Sequence, residues 1–476
     1  MTWITGDTVA MATTTLTFLG AAGTVTGSKH LLTIDAEGTP KRRILVDGGL
    51  FQGLRNLRRR NWDPFTLAPS LIDTILLTHA HLDHCGYLPR LVRDGFQGRI
   101  LCTEATKRLA EIVLRDSAYL QERDAEYARK RGYSKHNPPV PLYTVADVEV
   151  MLPQMKTVDF DTEIDLGYGT SARFTRAGHI LGSASINVST PGGDVLFSGD
   201  IGREEHAVLR SREIPAGAST VLIESTYGDR AHFEPEGESH ELFAESVTRT
   251  ADRGGSVLIP AFAVDRTEVV LKLIGDLQRE GRIPTLPIYL NSPMALSALE
   301  IYSDPKMAEE LRPDVGLEDI LLPNLTQIRT IEESEALNRP SEPCIIISAS
   351  GMATGGRVLH HLKHMLPDPR HTVMLTGYQS VGTRGRALLD GATEIKMHGE
   401  YIPVNAEIAR DEEFSVHADA SELLSWLGAL SEKPRIVHCV HGENDSANAL
   451  AQTIRDELGI MAVVPRHEER VLVAKD

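Results

Sequence analysis

The sequence predicts an α/β fold in which one domain is inserted inside another, and three observations carry that expectation. Short apolar strands punctuated by glycine run from Leu16 onward and return after about Gly391. Between Ile214 and Gly391, strands alternate with longer helical segments, the pattern of βαβ units in a mainly parallel sheet. A dense loop, His79-Ala80-His81-Leu82-Asp83-His84, lies between a strand and a helix. At 476 residues the chain is long enough for two or more cores. The expected divisions are a disordered leader over 1–15, a first domain part over 16–213, an insert over 214–391 and a returning part over 392–476.

Taken in order, strands over 16–19, 31–34 and 44–46 read as a β-meander that ends at Asp47. The apolar strand 75–77 delivers the chain to His79, and Leu88, Leu91 and Val92 then recur at helical spacing. A long polar helix is expected over 106–130, closed by Gly132 and the Pro138-Pro139 pair. Strands follow over 172–175, 185–188 and 195–197. In the insert, strands over 221–224, 256–259, 288–290, 344–347 and 372–376 alternate with helices over 239–251, 266–278 and 356–365. The returning part is read as short strands and one helix over 421–429.

Composition narrows the class. No apolar run approaches the ~20 residues needed to cross a bilayer, so no membrane span is expected. Four scattered cysteines, Cys85, Cys102, Cys344 and Cys439, give no disulfide framework, which fits a reducing cytoplasm. A formal charge of −17 opposes binding of nucleic acid over the whole surface but leaves room for a local basic cleft. The densest cationic stretch is Arg55, Arg58, Arg59 and Arg60, and a second holds Arg384 and Arg386 in a glycine-rich loop.

Three imidazoles and a carboxylate within six residues are the ligand density that a zinc pair requires. One loop cannot complete two metal shells, and further candidates stand at other strand ends: His179 in Ala177-Gly178-His179 and Asp200 in Ser198-Gly199-Asp200. Each follows a glycine that lets the backbone turn sharply.

With these residues in view, the chain resembles the metallo-β-lactamase superfamily and, within it, the β-CASP ribonucleases. Asp47, the 79–84 loop, His179 and Asp200 match the superfamily's successive motifs in order. The subfamily's later marks are similar to Ile223-Glu224-Ser225-Thr226-Tyr227-Gly228, Phe414-Ser415-Val416-His417-Ala418-Asp419 and Val440-His441-Gly442-Glu443. Pro260-Ala261-Phe262-Ala263-Val264, Ser348-Ala349-Ser350-Gly351-Met352 and Gln379 to Gly385 resemble its inserted domain. The closest likeness is to bacterial and archaeal relatives of the polyadenylation cleavage endonuclease. The resemblance implies a metallo-β-lactamase αββα sandwich with an inserted α/β β-CASP domain.

It also implies roles. One Zn2+ would be held by His79, His81 and His179 and a second by Asp83, His84 and His441, with Asp200 bridging both. The implied chemistry is a two-metal hydroxide mechanism on a phosphodiester. Asp47 would orient ligands from behind. His417 would act as general acid and Glu224 would fix its tautomer, so these two and Asp83 form the expected catalytic set. Ser415 and Arg384 are the substrate-binding candidates.

His438 competes with His441, but it lies mid-strand whereas His441 closes the strand before Gly442. His398 is expected in a loop, and His360, His361 and His364 on a polar, partly exposed helix face. Cys85 and Cys439 adjoin candidate ligands and are read as packed core. His at the last motif marks RNA-directed members of the resembled family, so the expected activity is zinc-dependent, endonucleolytic cleavage of single-stranded RNA. The alternatives are 5′–3′ exonuclease action, a DNA nuclease, a small-ester hydrolase and a metal-free processing scaffold. The motifs carry no reading of RNA preference or oligomeric state.

Overall fold

The structure, a computed structural model, describes residues 12–131, 138–232 and 238–473. Most of the expected leader, and Gly132 at the expected end of the long helix, lie outside these residues. Two seven-stranded sheets pack face to face. In the first, Arg470–Val473, Thr13–Phe18, His30–Asp35 and Arg42–Val46 form antiparallel neighbours, and Thr74–Leu76, Arg99–Cys102 and Met155–Thr157 continue in parallel. Residues 13–15, placed by the sequence reading in the leader, are therefore the start of a strand. Their run of β-branched threonines suits a pleated surface.

In the second sheet, Met461–Val463, Ile436–Val440, Thr220–Glu224 and Val195–Phe197 run parallel, followed by the antiparallel Ala184–Ser189, Thr170–Arg176 and Ile164–Gly167. Alternate side chains divide cleanly between the layers. Leu16, Phe18, Ile44, Val46, Leu76, Phe174, Ile186, Phe197 and Leu222 meet between the sheets. On the outer face of the first sheet, Leu45, Ile75 and Ile100 pack with Leu109 and Leu114 of the helix Glu104–Arg131. On the outer face of the second, Leu196, Val221 and Ile223 pack with Leu423, Trp426 and Leu450 from the helices Ala420–Gly428 and Asn444–Thr453. The layers are thus αββα, and the chain's last strands close both sheets.

The insert is built on a six-stranded sheet in which every pairing is parallel, in the order Leu325–Gln327, Ile288–Leu290, Ile345–Ser348, Val257–Pro260, Thr372–Leu375, Glu407–Arg410. One face packs on the helices Arg266–Arg279 and Pro293–Tyr302, the other on Val358–Met365. The sheets divide the chain at points other than 214 and 391. Thr220–Glu224 is hydrogen-bonded between two strands of the outer domain, and Glu407–Arg410 is the edge strand of the insert. Strand texture alone does not reveal which sheet a strand joins.

The returning part also holds a second helix, Asn444–Thr453, where the sequence reading allowed one. Its buried face is only Ser446, Ala447, Leu450 and Ala451, too small to stand out as an apolar stripe. No helix among the described residues is long and apolar enough to cross a membrane. Leu222 is 1 % exposed at the centre of the two-sheet core. Leu222→Ala is expected to lower unfolding free energy by about 2–5 kcal/mol, read as a lower denaturant midpoint.

Candidate metal centre

The parallel strands place their carboxyl ends on one edge of the sandwich, and the candidate residues sit on the loops that leave it. Asp47 follows Arg42–Val46 in a left-handed conformation with φ 61°, which an aspartate tolerates better than most residues. Its N–H donates to the carbonyl of Leu76 on the next strand. Two residues beyond Thr74–Leu76, Thr78 donates its N–H and its hydroxyl to Asp47 Oδ1 at 2.9 and 3.0 Å. His79 comes next, and the short helix Leu82–Cys85 carries Asp83 and His84. Gly178 and Gly199 both take positive φ, as the turns before His179 and Asp200 require. A side chain at Gly178 would stand 2.7 Å from the Arg212 nitrogen. The His179 turn is further held by Thr103 and Thr106, whose hydroxyls both donate to the Gly182 carbonyl at 2.7 and 2.8 Å.

The candidate atoms converge as two sets around Asp200, which is 2 % exposed. In the first, His81 Nδ1 lies 3.2 Å from His79 Nε2 and 3.3 Å from His179 Nε2. Asp200 Oδ2 lies 3.6 and 3.7 Å from the same two Nε2 atoms. In the second, His441 Nε2 lies 3.2 Å from both His84 Nε2 and Asp83 Oδ2. The other carboxylate oxygen, Asp200 Oδ1, is 3.3 Å from His84 Nε2. Four ligands at the usual zinc bond lengths stand about 3.3 Å from one another in a tetrahedron, so these spacings suit tetrahedral metal shells.

Three further observations fit a metal pair. Asp200 Oδ1 is buried and makes no hydrogen bond among the described residues. Burial, and then neighbouring imidazoles, hold His79 and His179 well below the ordinary histidine pKa, so their nitrogens present lone pairs. The rings are also oriented from behind. His84 Nδ1 lies 2.7 Å from Asp47 Oδ2, and His79 Nδ1 lies 3.1 Å from the Thr78 hydroxyl, which itself donates to Asp47. Among the metal-free groups, burial disfavours charge on His84 and His441, but Asp200 and the other facing carboxylates override it and raise both pKa values. Protons then occupy the charge balance that cations would otherwise meet.

His417 stands apart from both sets. Its ring packs on that of His179 at 4.4 Å, and its Nδ1 is 3.1 Å from Glu224 Oε2. Glu224 is fully buried and also accepts from Ile201 N–H and the Thr226 hydroxyl, each at 2.6 Å. Burial works against charge on His417, yet the Glu224 carboxylate outweighs it and raises the pKa above its ordinary value.

The remaining expectations separate. The Ser415 hydroxyl is buried without a hydrogen bond among the described residues. Arg384 is engaged structurally, its guanidinium donating to the carbonyls of Lys396, Ala353 and Thr354. His438 points into the two-sheet core, 5.0 Å from the Phe18 ring, and burial lowers its pKa to about 4. His361 corrects the reading of its helix face as polar and partly exposed: it is fully buried, with Nε2 2.6 Å from Asn291 Nδ2. All four cysteines are free and buried.

Sequence reading missed Thr78, Thr226 and His232. His232 Nε2 donates to the His417 carbonyl at 2.7 Å, and its N–H donates to Asp419 Oδ2 at 2.8 Å. Its only local signal is a place five residues after Tyr227 in the Glu224 motif. His232→Ala is expected to lower kcat about tenfold or more with metal content intact, while His232→Gln, which keeps a donor, restores most of it. His441→Ala is expected to lose bound metal by elemental analysis of the purified protein, and His438→Ala to retain it.

Comparison with known proteins agrees with this architecture. The chain matches family models described as the metallo-beta-lactamase superfamily over residues 34–261, the Beta-Casp domain over 267–388 and the Zn-dependent metallo-hydrolase RNA specificity domain over 401–465. It is 37% identical over 441 residues to Ribonuclease TTHA0252 of Thermus thermophilus, covering 91% of this chain and 94% of that one. An RNase J-like protein of Methanocaldococcus jannaschii is 31% identical over 90% of this chain and 93% of its own length. Transcription termination factor FttA of the same organism is 30% identical over 91% of this chain and 68% of its own. A crystal structure of an Enterococcus faecalis protein of unknown function shares the fold, with a TM-score of 0.54 at 14% identity, over 97% of this chain and all of that one. The chain belongs to the β-CASP branch of the metallo-β-lactamase superfamily.

Proposed function

We propose that the protein is a metal-dependent ribonuclease that cuts single-stranded RNA in the cytoplasm, endonucleolytically, with two Zn2+ ions. The observation that carries this reading is the pairing of two ligand sets on one carboxylate, Asp200, beside a histidine that belongs to neither. His79, His81 and His179 would hold one ion, Asp83, His84 and His441 the other, and the two oxygens of Asp200 would serve both. When bound, such a pair supplies positive charge for phosphoryl oxygens and activates water as a nucleophile. The name Ribonuclease TTHA0252 and the RNA specificity description of the 401–465 model support RNA as substrate.

The chain's own residues supply the rest. Glu224 accepts from His417 Nδ1, which leaves Nε2 as the atom that donates a proton to the departing oxygen. The buried carboxylate favours the charged ring that this donation needs. Asp47 and Thr78 keep the ligand rings from rotating, so the site is organised before substrate arrives. The Ser415 hydroxyl, two residues from His417, is unpartnered among the described residues but buried, so contact with a phosphate oxygen would require this segment to open. Asp83 belongs to the reacting set as a ligand.

His417→Ala is expected to reduce cleavage of a labelled RNA by about 10²–10⁴-fold while metal content stays unchanged. Full activity in that variant would contradict the general-acid role. On a 5′-blocked RNA, internal cuts are expected; no product, with cutting restored when the end is free, would instead favour 5′–3′ exonuclease action. A matched DNA is expected to remain uncut.

A further inference from the structure

We infer that the short helix Arg55–Arg60 is a phosphate track that carries single-stranded RNA away from the metal centre, an inference that rests on the ribonuclease reading. The helix is exposed, and no residue of it is buried. Arg55, Arg58 and Arg59 are spaced i, i+3, i+4, so they share one face. Among the described residues none of the four arginines makes an ion pair, and the nearby Asp63 makes none either. In a chain of net charge −17 this is conspicuous, because most clustered arginines here are tied to carboxylates, as Arg249 and Arg253 are to Glu407. Like charges at this spacing repel and weaken a helix. A polyanion laid along the face would relieve that repulsion.

Position supports the same partner. The helix lies on the loop that leaves the sandwich edge at Asp47, and that loop is bonded to the metal-binding segment. Gly48 N–H donates to the His84 carbonyl at 2.7 Å and Leu50 N–H to the Leu82 carbonyl at 2.8 Å. Gly49 lies so close that a side chain there would meet the Asp83 carbonyl. Arg55 follows Leu50 by five residues, so the helix starts within about 18 Å of that contact. The loop is rigidly closed: Asn61 exchanges two hydrogen bonds with the Phe51 backbone at 2.9 and 2.8 Å. At its base the Arg60 guanidinium lies over the Phe51 ring, 5.4 Å from the centroid, which holds that charge on the loop. Backbone contacts of this kind position a strand without reading its sequence.

The test is equilibrium binding of a long labelled single-stranded RNA across a range of salt concentrations, with a chelator present to prevent cleavage. For the Arg55→Ala/Arg58→Ala/Arg59→Ala variant, affinity is expected to fall about tenfold or more, and the log–log salt slope to flatten by about 2, about 0.7 per lost phosphate contact. The corresponding lysine variant is expected to keep most of the slope. A control variant removing Arg99, Arg173 and Arg339, exposed residues outside this helix, is expected to keep the wild-type slope. Equal slopes for the alanine variant and this control would overturn the inference while the ribonuclease reading stands. A wild-type protein that neither binds nor cuts RNA would overturn both.

Discussion

Asp200 is a carboxylate removed from water whose two oxygens face different histidine pairs: Oδ2 toward His79 and His179, Oδ1 toward His84 and His441. Beside it, His81 Nδ1 approaches the His79 and His179 nitrogens to 3.2 and 3.3 Å. Two neutral lone pairs at that range repel, and a buried charge without a partner costs several kcal/mol. Cations placed between the nitrogens and the carboxylate answer both costs at once. The rest of the outer domain follows from that requirement. Its parallel strands deliver the ligand loops to one edge, its glycines permit the turns, and Asp47 with Thr78 fixes the rings.

The insert matters because the chain crosses between domains beside His417. The outgoing crossover carries His232, which holds the His417 carbonyl, and then His240, whose Nδ1 is 2.7 Å from Asp411 on the returning crossover. Glu413 accepts from the His240 N–H and the Ser239 hydroxyl. A third tie runs deeper. His206 Nδ1 accepts two backbone N–H groups, so its Nε2–H donates to Asp265 Oδ2 at 3.2 Å. Tyr302 donates to Asp265 Oδ1 and accepts from Leu181, two residues past His179. The placement of the insert is thereby linked by hydrogen bonds both to a candidate ligand loop and to His417 beside it.

Much of this was legible in sequence because the densest chemistry is local. His79 to His84 are six consecutive residues, and Gly-His and Gly-Asp at strand ends announced His179 and Asp200. Glu224, His417 and His441 entered through family likeness, since Glu224 and His441 alone are ordinary residue types at strand ends and His417 alone is a loop histidine. Long-range choices were not legible. Whether Thr220–Glu224 joins one sheet or another depends on partners far along the chain, and both candidate sheets are apolar on both faces. His232 acts through one hydrogen bond to a backbone carbonyl, which no composition or spacing reveals. His361 was grouped with His360 and His364, while its own position on the helix turns inward beside Leu362 and Met365.

The measurement that tests the shared-carboxylate account most directly is anomalous X-ray diffraction at the zinc edge from crystals of the purified protein. The account predicts two peaks on either side of Asp200, one among His79, His81 and His179 and one among Asp83, His84 and His441. A single peak, or metal bound instead at His232 with Asp419 and Glu422 or at His240 with Asp411 and Glu413, would contradict it.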